Sequence, residues 1–146
     1  MGERLRPLAL GAAGGSGGAA LRYAIAEMLP AGALPWGTLA ANVGGAFLLS
    51  LLLYENRLVG SLGRGTRLLV GTGFCASFTT YSTFAVGTAG LVGLPAIGTG
   101  APTPALAAVY VALTYAPGFV AIGLGQVVVR VMACSRRCPC GWAASP

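Results

Sequence analysis

The chain has no histidine, no lysine and no aspartate, and only three glutamates, Glu3, Glu27 and Glu55. General acid–base chemistry needs a positioned group that titrates near the working pH, most often His, Glu/Asp or Lys. No such acid–base pair or acidic metal cluster stands out, and the hydroxyls have no base beside them, so an enzyme is not expected. Charge of any kind is scarce. Charged residues make up 8% of the sequence, against roughly 25% in an ordinary soluble domain. A soluble fold would have little surface to turn toward water. The four cysteines do not form the framework of a secreted disulfide domain: Cys75 lies alone, and Cys134, Cys138 and Cys140 cluster near the C-terminus.

What remains is apolar and small. Of 146 residues, 55% are hydrophobic and 24 are glycine, and the mean hydropathy is +0.78. This is the composition of an all-α integral membrane protein. The net charge of +6, spread thinly, reads as a topology signal and not as a nucleic-acid surface.

Four apolar segments follow one another. The first runs from Leu8 to about Leu29, long enough to cross a hydrocarbon core of ~30 Å. A second apolar span follows it and both termini carry Arg, so a signal peptide is not expected. Its run GAAGGSGGAA (Gly11–Ala20) is poor material for a soluble helix. In a membrane the pairs Gly11/Gly15 and Gly14/Gly18 serve either internal helix packing or a subunit contact. Arg22, beside Tyr23, either snorkels to the headgroups or supports an aqueous entrance for an anion. Pro30 and Pro35 bracket a turn. The second segment, Trp36 to Tyr54, has interfacial aromatics at both ends. Asn42 is its one strongly polar group, available to a neighbouring helix or to a passing anion.

The third segment, about Leu68 to Leu94, contains the stretch GTGFCASFTTYSTF (Gly71–Phe84). Glycines and hydroxyl side chains weaken regular helix there, which predicts a local break near Cys75–Thr80. Broken membrane helices expose backbone dipoles and make ion sites. Residues 95–104 form a neutral linker. The fourth segment runs from Pro104 to about Val129, with Tyr110, Thr114 and Tyr115 as polar points and a bend expected at Pro117-Gly118. Residues 1–132 form one four-span unit. Residues 133–146, with Cys134, Cys138 and Cys140, are expected to be a disordered tail, with metal binding or palmitoylation as the other readings.

With four spans, Arg4, Arg6, Arg57, Arg64, Arg67, Arg130, Arg136 and Arg137 share one side, and the connections on the other side carry no basic residue. The positive-inside rule then places both termini in the cytoplasm. The polar inventory contains hydrogen-bond donors and no carboxylate: Asn42, Thr79, Thr80, Tyr81, Ser82, Thr83 and Thr114. Phe84 adds a ring with a positive edge. A small hydrated anion needs replacement donors when it sheds water. The alternative is that the hydroxyls bond within their own helices.

The sequence resembles the Fluc/CrcB family of fluoride channels over essentially the whole four-span unit. The most specific piece is GFCASFTTYSTF (Gly73–Phe84). GGAALRY (Gly17–Tyr23), PWGTLAANVGGAFL (Pro35–Leu48) and the Tyr110-to-Thr114 spacing in YVALT support it. The resemblance implies a passive channel exporting fluoride and reducing its toxicity, in a bacterial inner or plasma membrane. It implies a dual-topology antiparallel dimer with two fluoride pathways and a structural Na+ at its centre. Asn42, Tyr81, Phe84, Tyr110 and Thr114 fall on pore positions. Arg22, Thr80, Ser82 and Thr83 are expected as pore support or entrance, and the carbonyls of Ala76 and Thr79 as Na+ ligands.

The chain departs from the family pattern in places. The family usually has two glycines at Ala76-Ser77, Phe at Tyr81, commonly Glu at Gly87, and Ser at Thr114. An added Cβ at 76 or 77 is expected to strain a tight break, and the Tyr81 hydroxyl either obstructs a pathway or stabilises an anion. The one-sided charge argues that this chain inserts one way, so the partner is expected to be an oppositely oriented paralogue, with a homodimer as the alternative. The competing functional readings are a small-multidrug-type efflux subunit, which would need an acidic residue at mid-membrane, and a non-conducting scaffold.

Overall fold

A computed structural model describes residues 2–29, 32–93 and 103–137. Among them every regular element is helical: α1 (Gly2–Met28), α2 (Trp36–Leu58), α3 (Arg64–Thr66), a π-helical segment (Arg67–Cys75), α4 (Ala76–Phe78), α5 (Tyr81–Val92) and α6 (Pro104–Arg137). The short α3, the π segment and α4 run on from one another, and with α5 they make the third expected span, interrupted once. α2 and α6 are each long and apolar enough to cross a membrane. α1 has 27 residues, roughly 40 Å of helix, but glycine dilutes its apolar character.

Identifiable groups end the helices. α2 closes where the N–H groups of Val59 and Gly60 both bond to the Glu55 carbonyl (2.9 and 2.8 Å), with Gly60 at φ 67°. The Glu55 carboxylate then accepts from the Ser61 N–H (2.9 Å), the Ser61 hydroxyl (2.6 Å) and the Leu62 N–H (3.2 Å). This ties the turn into the third span to the end of α2. α5 stops at Gly93, which is left-handed at φ 84°, a conformation open to glycine.

Two seams hold the bundle together. In the first, α1 packs on the π segment at backbone distance. A Cβ on Gly14 or Gly18 would run into the carbonyl oxygens of Leu69 and Phe74, and one on Gly73 would lie 2.7 Å from the Gly11 carbonyl. The pair Gly14/Gly18 therefore serves packing within the chain. In the second seam α2 lies along α6. Gly125 makes room for Ser50, whose hydroxyl donates to the Ile122 carbonyl at 2.7 Å. Small buried residues, Ala41, Ala107 and Ala121, let these helices approach. The larger core residues Leu34, Phe84 and Tyr110 cluster together, with Leu39, Leu91 and Leu113 against them.

α6 differs from expectation in length. It continues through Pro117 and past Val129 to Arg137, beyond the boundary expected at 132. Pro30, most of the 95–104 linker, and Cys138 and Cys140 lie outside the described residues. Large apolar side chains face outward: Phe119 is 71% exposed and Val120 61%. A surface of this kind is suited to lipid or to another subunit.

The glycine seam predicts a contrast. Gly14→Ala should destabilise the protein by about 1–3 kcal/mol, because the new methyl meets backbone that cannot move aside. A Cβ at Gly11 meets nothing within 4 Å, so Gly11→Ala should be neutral or stabilising by up to about 1 kcal/mol. Thermal unfolding in detergent compares the two, and equal melting temperatures would show that the close contact does not form.

Candidate functional site

The third span breaks where two residues leave the helix. Thr79 (φ −77°, ψ 153°) and Thr80 (φ −148°, ψ 120°) are both extended, inside the expected 75–80 window. These are ordinary values for any L-residue. Ala76 is helical at φ −66°, ψ −31°. The strain expected at Ala76-Ser77 does not arise there, because the chain changes direction at the two threonines without a left-handed residue.

A helix break leaves backbone groups without partners. Thr79 keeps its N–H on the Cys75 carbonyl at 3.0 Å, and its hydroxyl donates to the same carbonyl at 2.9 Å. At Thr80 the partner is a side chain from another helix. Its N–H donates to Asn42 Oδ1 (2.8 Å), and Asn42 Nδ2 donates back to the Thr80 carbonyl (3.1 Å). The amide takes the place of a neighbouring strand. The Thr80 side chain is then free to cap α5. Its Oγ1 accepts from the Thr83 N–H (3.2 Å) and lies 3.1 Å from Thr83 Oγ1 and 3.2 Å from Ser82 Oγ.

These bonds have a consequence for two carbonyls. In a continuous helix Ala76 and Thr79 would accept from the N–H groups four residues on. Those are Thr80 and Thr83, which are bonded to Asn42 and to Thr80 Oγ1. The break thus diverts the helical partners of both carbonyls.

Beside the break lies an open groove of about 440 Å³ between α2, the break and α6, with Asn42, Thr80, Tyr81, Phe84, Thr114 and Tyr115 in its wall. Among the described residues no charged side chain lines it. The N-terminal turn of α5 begins at its edge, with the partial positive end of the peptide dipoles. Phe84 is buried at 8% exposure and is ringed by aromatics. Tyr110 lies tilted by 36° at a centroid distance of 5.3 Å, Tyr115 meets it edge-on at 5.8 Å and 88°, and Tyr81 lies at 6.1 Å. Tyr81 itself is 77% exposed.

The groove brings together Asn42, Thr79, Thr80, Tyr81, Phe84 and Thr114. It does not include Tyr110, which is fully buried and backs Phe84. Ser82 and Thr83 belong to the capping network of α5, and Arg22 is half-buried on α1 away from the groove wall. Several expected donors are already spent. Thr114 Oγ1 donates to the Tyr110 carbonyl at 2.8 Å, as Thr79 does to Cys75, the usual back-bonding of helical threonine. The groove donors left over are the second N–H of the Asn42 amide and the phenols of Tyr81 and Tyr115, which have no hydrogen-bond partner among the described residues. Tyr115 and Phe119 were not expected in the wall. Their i, i+4 spacing on α6 places them on one face, a signal that points to a shared neighbour without naming it.

Comparison with known proteins gives a consistent picture. The family model described as CrcB-like protein, Camphor Resistance (CrcB) matches residues 9–126. The chain is similar to Fluoride-specific ion channel FluC 1 of Natronomonas pharaonis, at 47% identity over 86% of this chain and 95% of that one. It is also similar to Fluoride-specific ion channel FluC 2 of Halobacterium salinarum, at 42% identity over 90% of this chain and 93% of the relative. FluC 1 of Haloarcula marismortui is 42% identical over 82% of this chain and 83% of its own length.

The Asn42–Thr80 pair generates the test of this geometry. Asn42→Ala should leave a backbone N–H and a carbonyl without partners, at a cost on the order of 2–4 kcal/mol. The Thr80 amide should exchange with deuterium far faster in the variant, on the same melting-and-exchange comparison. Unchanged protection at Thr80 would mean that the amide does not hold the break.

Proposed function

The chain belongs to the CrcB-like family, and we propose from that premise that it is a subunit of a fluoride-specific ion channel, a multi-pass membrane protein and not an enzyme. The observation that carries the reading at residue level is the uncharged groove at the helix break. Asn42, Tyr81, Phe84 and Thr114 meet there with no carboxylate among the described lining residues to repel an anion. Fluoride leaving water would exchange its hydration for the free Asn42 N–H, the Tyr81 phenol and the positive edge of the Phe84 ring. Tyr110 holds that ring in place from behind, and the α5 dipole adds a weak attraction. None of these groups carries a full positive charge, which suits a conductor, since an ion must leave as readily as it enters. Transport is passive: fluoride, carried in as its weak acid and released inside, flows out down its gradient.

The donor set at the break also suits a hard cation. The carbonyls of Ala76 and Thr79, whose helical partners are diverted, would hold a structural Na+, with the cation neutralising backbone dipoles that the break leaves open. The groove is open on one side, and Tyr81 and Phe119 are exposed there. A second subunit in the opposite orientation would close it. Eight arginines on one side favour a fixed insertion for this chain, with both termini cytoplasmic, and hence a paralogue partner. Numbered relatives, FluC 1 and FluC 2, support that reading. The named relatives are archaeal, so the membrane is proposed as a prokaryotic cell membrane, without the narrower bacterial assignment. A small-multidrug-type exporter is less well supported, because Glu55 is engaged in the turn after α2 and Glu27 sits at the end of α1.

Vesicles loaded with fluoride and read with a fluoride electrode test the function. Efflux is expected from this chain alone or with its paralogue. Absence of efflux in both preparations would overturn the channel reading. In the conducting preparation Phe84→Ile should slow efflux about tenfold, the equivalent of one aromatic contact, and an unchanged rate would remove Phe84 from the pathway. Co-expressing two differently tagged copies separates the assemblies: co-purification of the tags in a conducting complex would defeat obligate pairing with a paralogue.

A further inference from the structure

Away from the break, the mouth of the α1–third-span seam holds a second crevice, of about 450 Å³, lined by Arg6, Pro7, Leu10, Arg64, Gly65 and Leu68. Its two guanidiniums come from different helices, Arg6 from α1 and Arg64 from the first residue of α3. Among the described residues neither has a hydrogen bond or ion pair, and no acidic side chain lines the crevice. Two guanidiniums from different helices meeting on one crevice favour an anionic occupant.

The position narrows the chemistry. Arg6 precedes the first apolar segment, which starts at Leu8, and Arg64 precedes the third, which starts at Leu68. On the four-span reading proposed above, on which this inference rests, both stand at the water-facing ends of the first and third spans, at the level of lipid phosphates. The deeper wall is apolar, Leu10 and Leu68, and Gly65 packs beside Leu10 at ordinary contact distance. A free anion would use the arginines and leave the apolar wall unused. A phosphodiester with acyl chains uses both, because guanidinium forks match phosphate oxygens. We propose that this crevice is a site for one anionic phospholipid of the leaflet on the arginine-rich side, with its phosphate between Arg6 and Arg64 and its chain root on Leu10 and Leu68.

The site differs from general surface attraction, and the test separates them. The purified full-length protein in detergent is titrated with phosphatidylglycerol or with phosphatidylcholine and read by native mass spectrometry. Phosphatidylglycerol should be retained at least about tenfold better. Each basic residue near a lipid surface contributes about a fivefold gain, so the double variant Arg6→Gln, Arg64→Gln should weaken phosphatidylglycerol binding about 25-fold. Arg6→Lys, Arg64→Lys should restore only part of it, because an ammonium keeps the charge but lacks the fork. The variant Arg57→Gln, Arg130→Gln removes two exposed charges from the same side but outside the crevice, and it should change binding by less than about twofold. Inorganic phosphate at millimolar concentration should not displace the lipid. Equal retention of the two lipids by the unaltered protein overturns the proposal, a result that does not depend on any variant folding. Equal losses in the two double variants overturn it in favour of diffuse surface charge. Displacement by inorganic phosphate overturns it in favour of a free-anion site.

Discussion

The amide of Asn42 bonded to both backbone groups of Thr80 is the constraint on which the functional half of the molecule depends. In hydrocarbon an unpaired N–H or C=O costs several kcal/mol, and water is not at hand to relieve it. α2 supplies a single strong polar group at this depth, and both of its functions, acceptor and donor, meet the break. With Thr80 held in this way, its hydroxyl is released to start α5. Phe84 then falls one turn into that helix, where Tyr110 and Tyr115 can enclose it. The same bond diverts the N–H that would have satisfied Ala76. One side chain thus fixes where the helix restarts, which ring faces the groove and which carbonyl loses its helical partner.

The chemistry of the groove is defined as much by what is spent as by what is free. Thr79 and Thr114 look like donors in the sequence, but each returns its proton to the carbonyl four residues back. They satisfy backbone and present oxygen lone pairs. The donors that remain are few, neutral and separated, with an aromatic edge among them. A weakly binding, uncharged lining of this kind matches conduction better than storage, since tight binding would hold an ion in place.

Much of this was legible in the sequence, and the reason differs by residue. The order of four apolar segments and the break follow from local composition, so the break appears within the expected 75–80 window. Asn42 stood out because an amide is rare at that depth. That its amide bonds the break is a contact across 38 positions, which no local pattern shows. Likewise, Gly14 and Gly18 announced a close contact without saying with what, and the π winding of Arg67–Cys75 that receives them left no recognisable signal. Tyr110 carried the right spacing to Thr114, but its fully buried position behind Phe84 comes from tertiary packing. The extension of α6 to Arg137 was missed because arginines and cysteines mark the end of a hydrophobic stretch, which is not the same as the end of a helix.

The Asn42–Thr80 bond also sets an order in time. α2 leaves the ribosome before the third segment, so the side chain that satisfies the break is already in the bilayer when Thr80 arrives. A discontinuous span that would be hard to insert alone meets its partner during synthesis, one helix earlier in the chain.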